Sequence, residues 1–244
     1  SFGKKQYQPD NKDLEQITYL DKTWNQKSKI DQVGKTITFN ERLEANYQLD
    51  ENNSMGINLG FLRTPKITWD GGMASDMFQD DALSENLNST THELLQKSNL
   101  SSNLYYVGKI GKLGIDFNAD WFWSKEYMGN HTDEQYQEIG KEEHQQLVNT
   151  NTSKYNRLYA TKLVLSHHLL GGDLSLGGEY SFTNRNSLYT IIPTYLADDD
   201  KSRIKEGMAS AFITYNHDFG KLNVEAGLRY ENVNFKYYED GQYM

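Results

Sequence analysis

Between Leu113 and Trp123 the odd positions are Leu113, Ile115, Phe117, Ala119, Trp121 and Trp123, and the even positions are Gly114, Asp116, Asn118, Asp120 and Phe122. Alternation sustained over this length puts one set on each face of an extended strand, whereas a helix would scatter both sets around its axis. The run before it reaches Gly111-Lys112 and the chain reverses, so residues 104–124 form a hairpin with a very short turn. The apolar face ends in Trp121 and Trp123, and the polar face carries two bare carboxylates, Asp116 and Asp120. A barrel wall in a membrane has this distribution: apolar groups outward, polar groups toward the lumen, aromatics at the interface.

The unit recurs. Leu43, Ala45, Tyr47 and Leu49 alternate with polar residues, turn near Asn52, and return through Met55, Ile57, Leu59 and Phe61. Residues 155–170 and 173–187 flank Gly171-Gly172, and residues 203–218 and 221–237 flank Phe219-Gly220. The expectation is an all-β chain, an antiparallel up-and-down meander of about eight strands, forming part of a transmembrane β-barrel. Residues 1–35 read as a polar loop or poorly ordered segment, residues 36–237 as four hairpins of barrel wall, and residues 238–244 as the start of a loop. Three polar segments, 66–101, 128–151 and 188–202, read as long loops. Every tight turn then lies at one rim and every long loop at the other, as in outer-membrane barrels with short periplasmic turns.

Hydrophobic residues are 36% of the chain and the mean hydropathy is −0.80. No apolar run approaches the ~18 residues of a transmembrane helix, but a barrel strand needs only every second residue apolar. Seventeen Tyr and three Pro suit many long strands. The absence of Cys excludes disulfides and Cys-ligated zinc. A formal net charge of −9 argues against a nucleic-acid partner.

The face opposite the apolar stripe nominates Asp116, Asn118, Asp120, Glu225, Arg229 and Glu231 as lumen-facing residues. Their plain role is cross-strand pairing; the sharper one is contact with a passing solute. Trp121, Trp123, Tyr180, Phe182, Tyr215 and Tyr230 are candidates for an interfacial aromatic girdle. Trp69 and Asp70, beside two glycines in the first long polar segment, are candidate ligand contacts on a loop, with local packing as the plainer alternative. His167 and His168 are adjacent on a strand and face opposite ways, so they cannot share one metal. His131, Asp133 and Glu134 match no metal-ligand spacing, and Asp198 to Asp200 lack a calcium-loop pattern. No metal site and no cofactor is expected. No nucleophile elbow, phosphate loop or His-Glu-x-x-His motif is present, and the chain is not expected to be an enzyme.

The hairpin Tyr106-Val107-Gly108-Lys109-Ile110-Gly111-Lys112-Leu113-Gly114-Ile115-Asp116-Phe117-Asn118-Ala119-Asp120-Trp121 resembles a barrel hairpin of the TonB-dependent outer-membrane receptors. Phe219-Gly220-Lys221-Leu222 followed by Gly227-Leu228-Arg229-Tyr230-Glu231 is similar to a turn-plus-strand unit of those barrels. The resemblance implies a large barrel plugged by an N-terminal domain, driven by the inner-membrane TonB system and importing a small-molecule nutrient. Neither the plug nor a TonB box is assigned to any residue of this chain.

Two other readings stand beside it: a small self-contained outer-membrane barrel with a structural or adhesive role, and a soluble β-rich binding module. A chain whose first and last strands meet the long-loop rim reads as a piece of a larger barrel. Its two edge strands would expose unpaired N–H and C=O groups, so an isolated piece is expected to close on itself or self-associate.

Overall fold

The hairpin at residues 104–124 lies at the centre of one continuous sheet. The computed structural model describes residues 2–7, 10–19 and 22–244, with side chains described for Gly3 and residues 23–244. The strands are β1 (Phe2–Tyr7), β2 (Asp10–Tyr19), β3 (Lys22–Asp50), β4 (Asn53–Gln79), β5 (Ala82–Ile110), β6 (Leu113–Glu138), β7 (His144–Leu169), β8 (Gly172–Ile192), β9 (Asp200–Asp218), β10 (Asn223–Glu239) and β11 (Gln242–Tyr243). From β3 to β11 each strand pairs antiparallel with the next in sequence order. The expected all-β meander is therefore present, with turns at Asn52, Gly111, Gly171 and Gly220.

The turns explain why the chain reverses where it does. Leu170 and Gly171 both have positive φ, 53° and 80°, as do Asp80 and Asp81 at 49° and 66°. Two successive left-handed residues give the turn whose twist matches that of the flanking strands. At Asp50 the carboxylate accepts the Asn52 N–H at 2.8 Å and the Asn53 side-chain amide at 2.7 and 2.8 Å.

The polar segments do not loop as expected. Residues 66–101 are strand throughout except for a turn at Asp80-Asp81, and residues 128–151 are strand except for Ile139 to Glu143. Only residues 193–199 of the third segment leave the sheet. The expected loop over residues 1–35 is likewise strand at β1, β2 and the first part of β3, and residues 238–244 contain the β10–β11 hairpin. The cause is the solvent. Outside a bilayer both faces of a tall strand meet water, so hydropathy does not alternate even though the backbone is extended. β3 and β5 reach 29 residues each, against the ~9–11 that cross a membrane.

The sheet is a single layer. Among the described residues Ile191 is the only buried hydrophobic side chain, while Leu43 and Leu228 are 63% and 78% exposed. A soluble sandwich buries its apolar face against a second sheet; among the described residues no second sheet lies against this one.

The short-turn rim is slanted. Ser54, just past the first turn, pairs with Val107, three residues before the closing pair Ile110–Leu113 of the second. Leu113 pairs with His167, two residues before the third closing pair Leu169–Gly172, and Gly172 pairs with His217, one before Asp218–Asn223. The rim steps the same way at each hairpin, which is the stagger that tilted barrel strands require. The sheet does not close. Among the described residues β1 and β2 pair with β3 between Lys22 and Phe39, β3 has no outer strand partner from Arg42 to Leu49, and β10 has none from Asn223 to Lys236.

Candidate functional site

Register sorts every side chain onto one of two faces. One outward row runs Tyr47, Met55, Tyr106, Phe117, Leu163, Gly178, Ala211, Tyr230 from β3 to β10, and another runs through Ile115, Leu165, Leu176, Ile213 and Leu228. These rows form the apolar band. From Leu113 to Trp123 it extends about 33 Å along the strand, which at the usual tilt gives about 25 Å of height, the span of an outer-membrane barrel's apolar belt.

The six aromatics singled out from sequence all lie on this outward face. Trp121, Tyr159 and Phe182 share a row; Trp123 is one row beyond and Tyr180 one row inside. Tyr230 and Tyr215 fall in rows nearer the short turns. Rows perpendicular to tilted strands are not level with the membrane, so a level girdle crosses several rows. Trp123 packs edge-on against Tyr155, ring centroids 6.0 Å apart, and the Arg157 guanidinium lies 4.9 Å over the Tyr155 ring.

The six residues nominated for the lumen share the opposite face, but they do not form one cluster. Asn118 donates to Asp116 at 3.0 Å, and Asn103 donates to Asp120 at 2.8 Å. Farther round, Arg229 on β10 reaches Glu179 on β8 at 2.7 Å and Glu231 at 2.5 Å, and Lys162 on β7 reaches Glu179 at 3.2 Å. Glu225 stands apart near the short-turn rim, level with Asn216 and Asp173.

Glu179, Lys162 and Phe212 complete the centre and were not singled out from sequence. The Phe212 ring lies across Gly177, where a Cβ would come within 2.1 Å of it. Lys162 and Arg229 sit 5.9 and 5.7 Å from the Phe212 centroid. The result is an open hollow of about 370 Å³ lined by Lys162, Glu179, Phe212, Thr214, Gly227, Leu228 and Arg229. It offers two cations, a shared carboxylate and an aromatic face, and it contains no nucleophile–base pair. The signal was available: Glu179 is the out-of-phase carboxylate between Gly178 and Tyr180.

Trp69 and Asp70 do not form a loop site. Both lie within β4, so they point to opposite faces. Trp69 covers Gly34 on β3, whose Cβ would fall 2.6 Å from the indole, and Asp70 is hydrogen-bonded to His92 Nδ1 on the outward face. His167 Nδ1 lies 3.0 Å from the Lys112 carbonyl, His168 Nδ1 lies 3.0 Å from Asp173, and His131 lies 2.6 Å from Asn149. Asp199 accepts the Ile191 N–H at 3.0 Å.

The model of the outer membrane protein beta-barrel family matches residues 108–243. No curated protein sequence matches. The outer membrane protease OmpT from Escherichia coli is 12% identical over 98% of this chain and 86% of its own, with a TM-score of 0.30. BauA, the ferric preacinetobactin receptor from Acinetobacter baumannii, is 7% identical over 97% of this chain and 55% of its own, with a TM-score of 0.26. Likenesses this distant bear on neither activity nor substrate. The family match covers more than half of the 244 residues, and a one-layer sheet with an uncovered apolar band has lipid as its natural neighbour. This chain therefore belongs to the outer membrane protein beta-barrel family, and its place is the outer membrane.

Proposed function

We propose that the chain forms wall strands of an outer-membrane receptor that takes up a small-molecule nutrient, with uptake coupled to the inner-membrane TonB system. The observation that carries the reading is the pair of open edges inside the apolar band, β3 from Arg42 to Leu49 and β10 from Asn223 to Lys236. Lipid offers no hydrogen bonds, so a spanning sheet must be closed, and further strands of a larger barrel would close this one. The polar inner face, with Lys162, Glu179 and Arg229 around Phe212, suits a water-filled lumen and contact with a plug. Partners on this reading are outer-membrane lipid, a plug domain, the TonB system and the nutrient. No reaction is assigned to the chain.

The competing reading is a small barrel with a structural or adhesive role. The eight long strands β3 to β10 favour it, because eight suffice for a side-chain-filled barrel. A strain lacking the protein separates the two. Under the receptor reading, growth fails on one limiting nutrient, and wild-type uptake of that nutrient stops when the inner-membrane proton gradient is collapsed. Normal growth on every nutrient would overturn it.

A further inference from the structure

Two adjacent rows on the outward face cap the apolar band on the side away from the short turns. From β4 to β10 the first reads Phe61, Leu100, Trp123, Arg157, Asn184, Lys205, Lys236, and the second reads Arg63, Ser98, Lys125, Tyr155, Asn186, Arg203, Tyr238. From β4 to β10 they hold six cations and no carboxylate, in a chain with 34 acidic and 25 basic residues, and Glu41 on β3 continues the first row beyond Phe61. Two further acids at this level, Glu126 and Glu206, point to the inner face, and Lys97 and Lys154 each approach Glu126 there at 3.9 Å. None of the six outward cations is ion-paired. Instead Arg157 and Lys205 lie over tyrosine rings, 4.9 Å from Tyr155 and 5.6 Å from Tyr238.

The cations converge. Lys125, Arg203 and Lys205 are joined by Lys201 and Lys154 around a groove of about 560 Å³ that also takes in Tyr155, Leu188 and Tyr238. Like charges held this close raise one another's free energy, and a bound anion relieves it. Trp123 and the band lie directly beneath, so the anion that fits best carries its own hydrocarbon. Short turns mark the periplasmic rim, which puts the groove at the outer leaflet.

We propose that this girdle binds the phosphate groups of an anionic glycolipid of the outer leaflet, with the acyl chains lying against the apolar band. The groove between β6 and β10 takes one phosphate. The interaction is electrostatic at an exposed interface, so it weakens as salt rises.

Native mass spectrometry of the full-length protein, released from detergent with added bisphosphorylated lipid A, tests this. The wild type is expected to retain the lipid. The triple variant K125Q/R203Q/K205Q is expected to lose at least about tenfold in affinity. The inner-face variant K97Q is expected to bind as the wild type does, and phosphate-free lipid A should bind wild type and triple variant equally weakly. Folding of each variant is checked by the β-sheet circular dichroism signal. Equal retention by the triple variant would overturn the proposal. So would equal binding of phosphate-free lipid, an equal loss in K97Q, or full displacement of the lipid by an equimolar amount of inorganic phosphate.

Discussion

Arg229 on β10 reaches across the whole of β9 to place its guanidinium 2.7 Å from Glu179 on β8. The bond spans two strand spacings and fixes three strands in one register. A one-residue slip of β8 would move Glu179 to the lipid face and Tyr180 to the lumen.

The pair is expected to be coupled but modest. Arg229 is more than a third exposed, and water and salt in a lumen screen it. A double-mutant cycle of Glu179→Gln and Arg229→Gln, read by urea unfolding from lipid vesicles, should give a small, salt-sensitive coupling. Zero coupling would mean that the ion pair does not hold the register.

The outward and inward faces should respond differently to charge. Ile115→Arg places a cation against lipid and should cost about 2–4 kcal/mol of insertion if near the midplane. Asn118→Arg places it in the lumen and should cost much less. Folding yields into vesicles that are equal for the two variants would refute the assignment of faces.

Gly177 and Gly178 make a sharper comparison because they are neighbours. A methyl at Gly177 would strike the Phe212 ring at 2.1 Å, whereas at Gly178 the nearest atom is the Ser210 carbonyl oxygen at 3.5 Å. Gly177→Ala is expected to displace Phe212 and destabilise by about 1–3 kcal/mol. Gly178→Ala should be nearly neutral. Equal unfolding midpoints would show that Phe212 does not rest on Gly177.

Asp50 should make stability fall in acid. The Asn53 side chain and then the Asn52 N–H hold its carboxyl below the ordinary aspartate range. A lowered folded-state value stabilises fully above the unfolded-state pKa of about 3.9, and the contribution is lost as pH falls through the folded-state value. Asp50→Asn should remove that component of the acid-induced loss while leaving the pH 7 to 5 profile unchanged. An identical acid profile in the variant would remove Asp50 from the account.

The open edges predict the behaviour of the isolated 244-residue chain. Arg42 to Leu49 of β3 and Asn223 to Lys236 of β10 present unpaired backbone groups beside an uncovered apolar face, and both features favour pairing. Sedimentation across a concentration series should show self-association or a closed barrel, with slow amide exchange at β10. A monomer with freely exchanging β10 amides would contradict this.

The sequence by itself determined the strands inside the bilayer, their four turns and the face of each side chain. Lipid on one side and a lumen on the other impose period two, and Leu113 to Trp123 records it residue by residue. That the six aromatics share one face and the six polar residues the other was legible for the same reason. Tertiary structure decided what alternation cannot encode. Above the band, water wets both faces, so the extensions of β4, β5, β6 and β7 carry no contrast and read as loops until pairing reveals them. Trp69 and Asp70 looked like one loop site because their strand was invisible; pairing separates them onto opposite faces. Glu179 becomes the centre of the lumen cluster only when register brings Lys162, Phe212 and Arg229 beside it from three other strands. Partners distant in sequence are fixed by strand order and stagger, and those emerge from the assembled sheet.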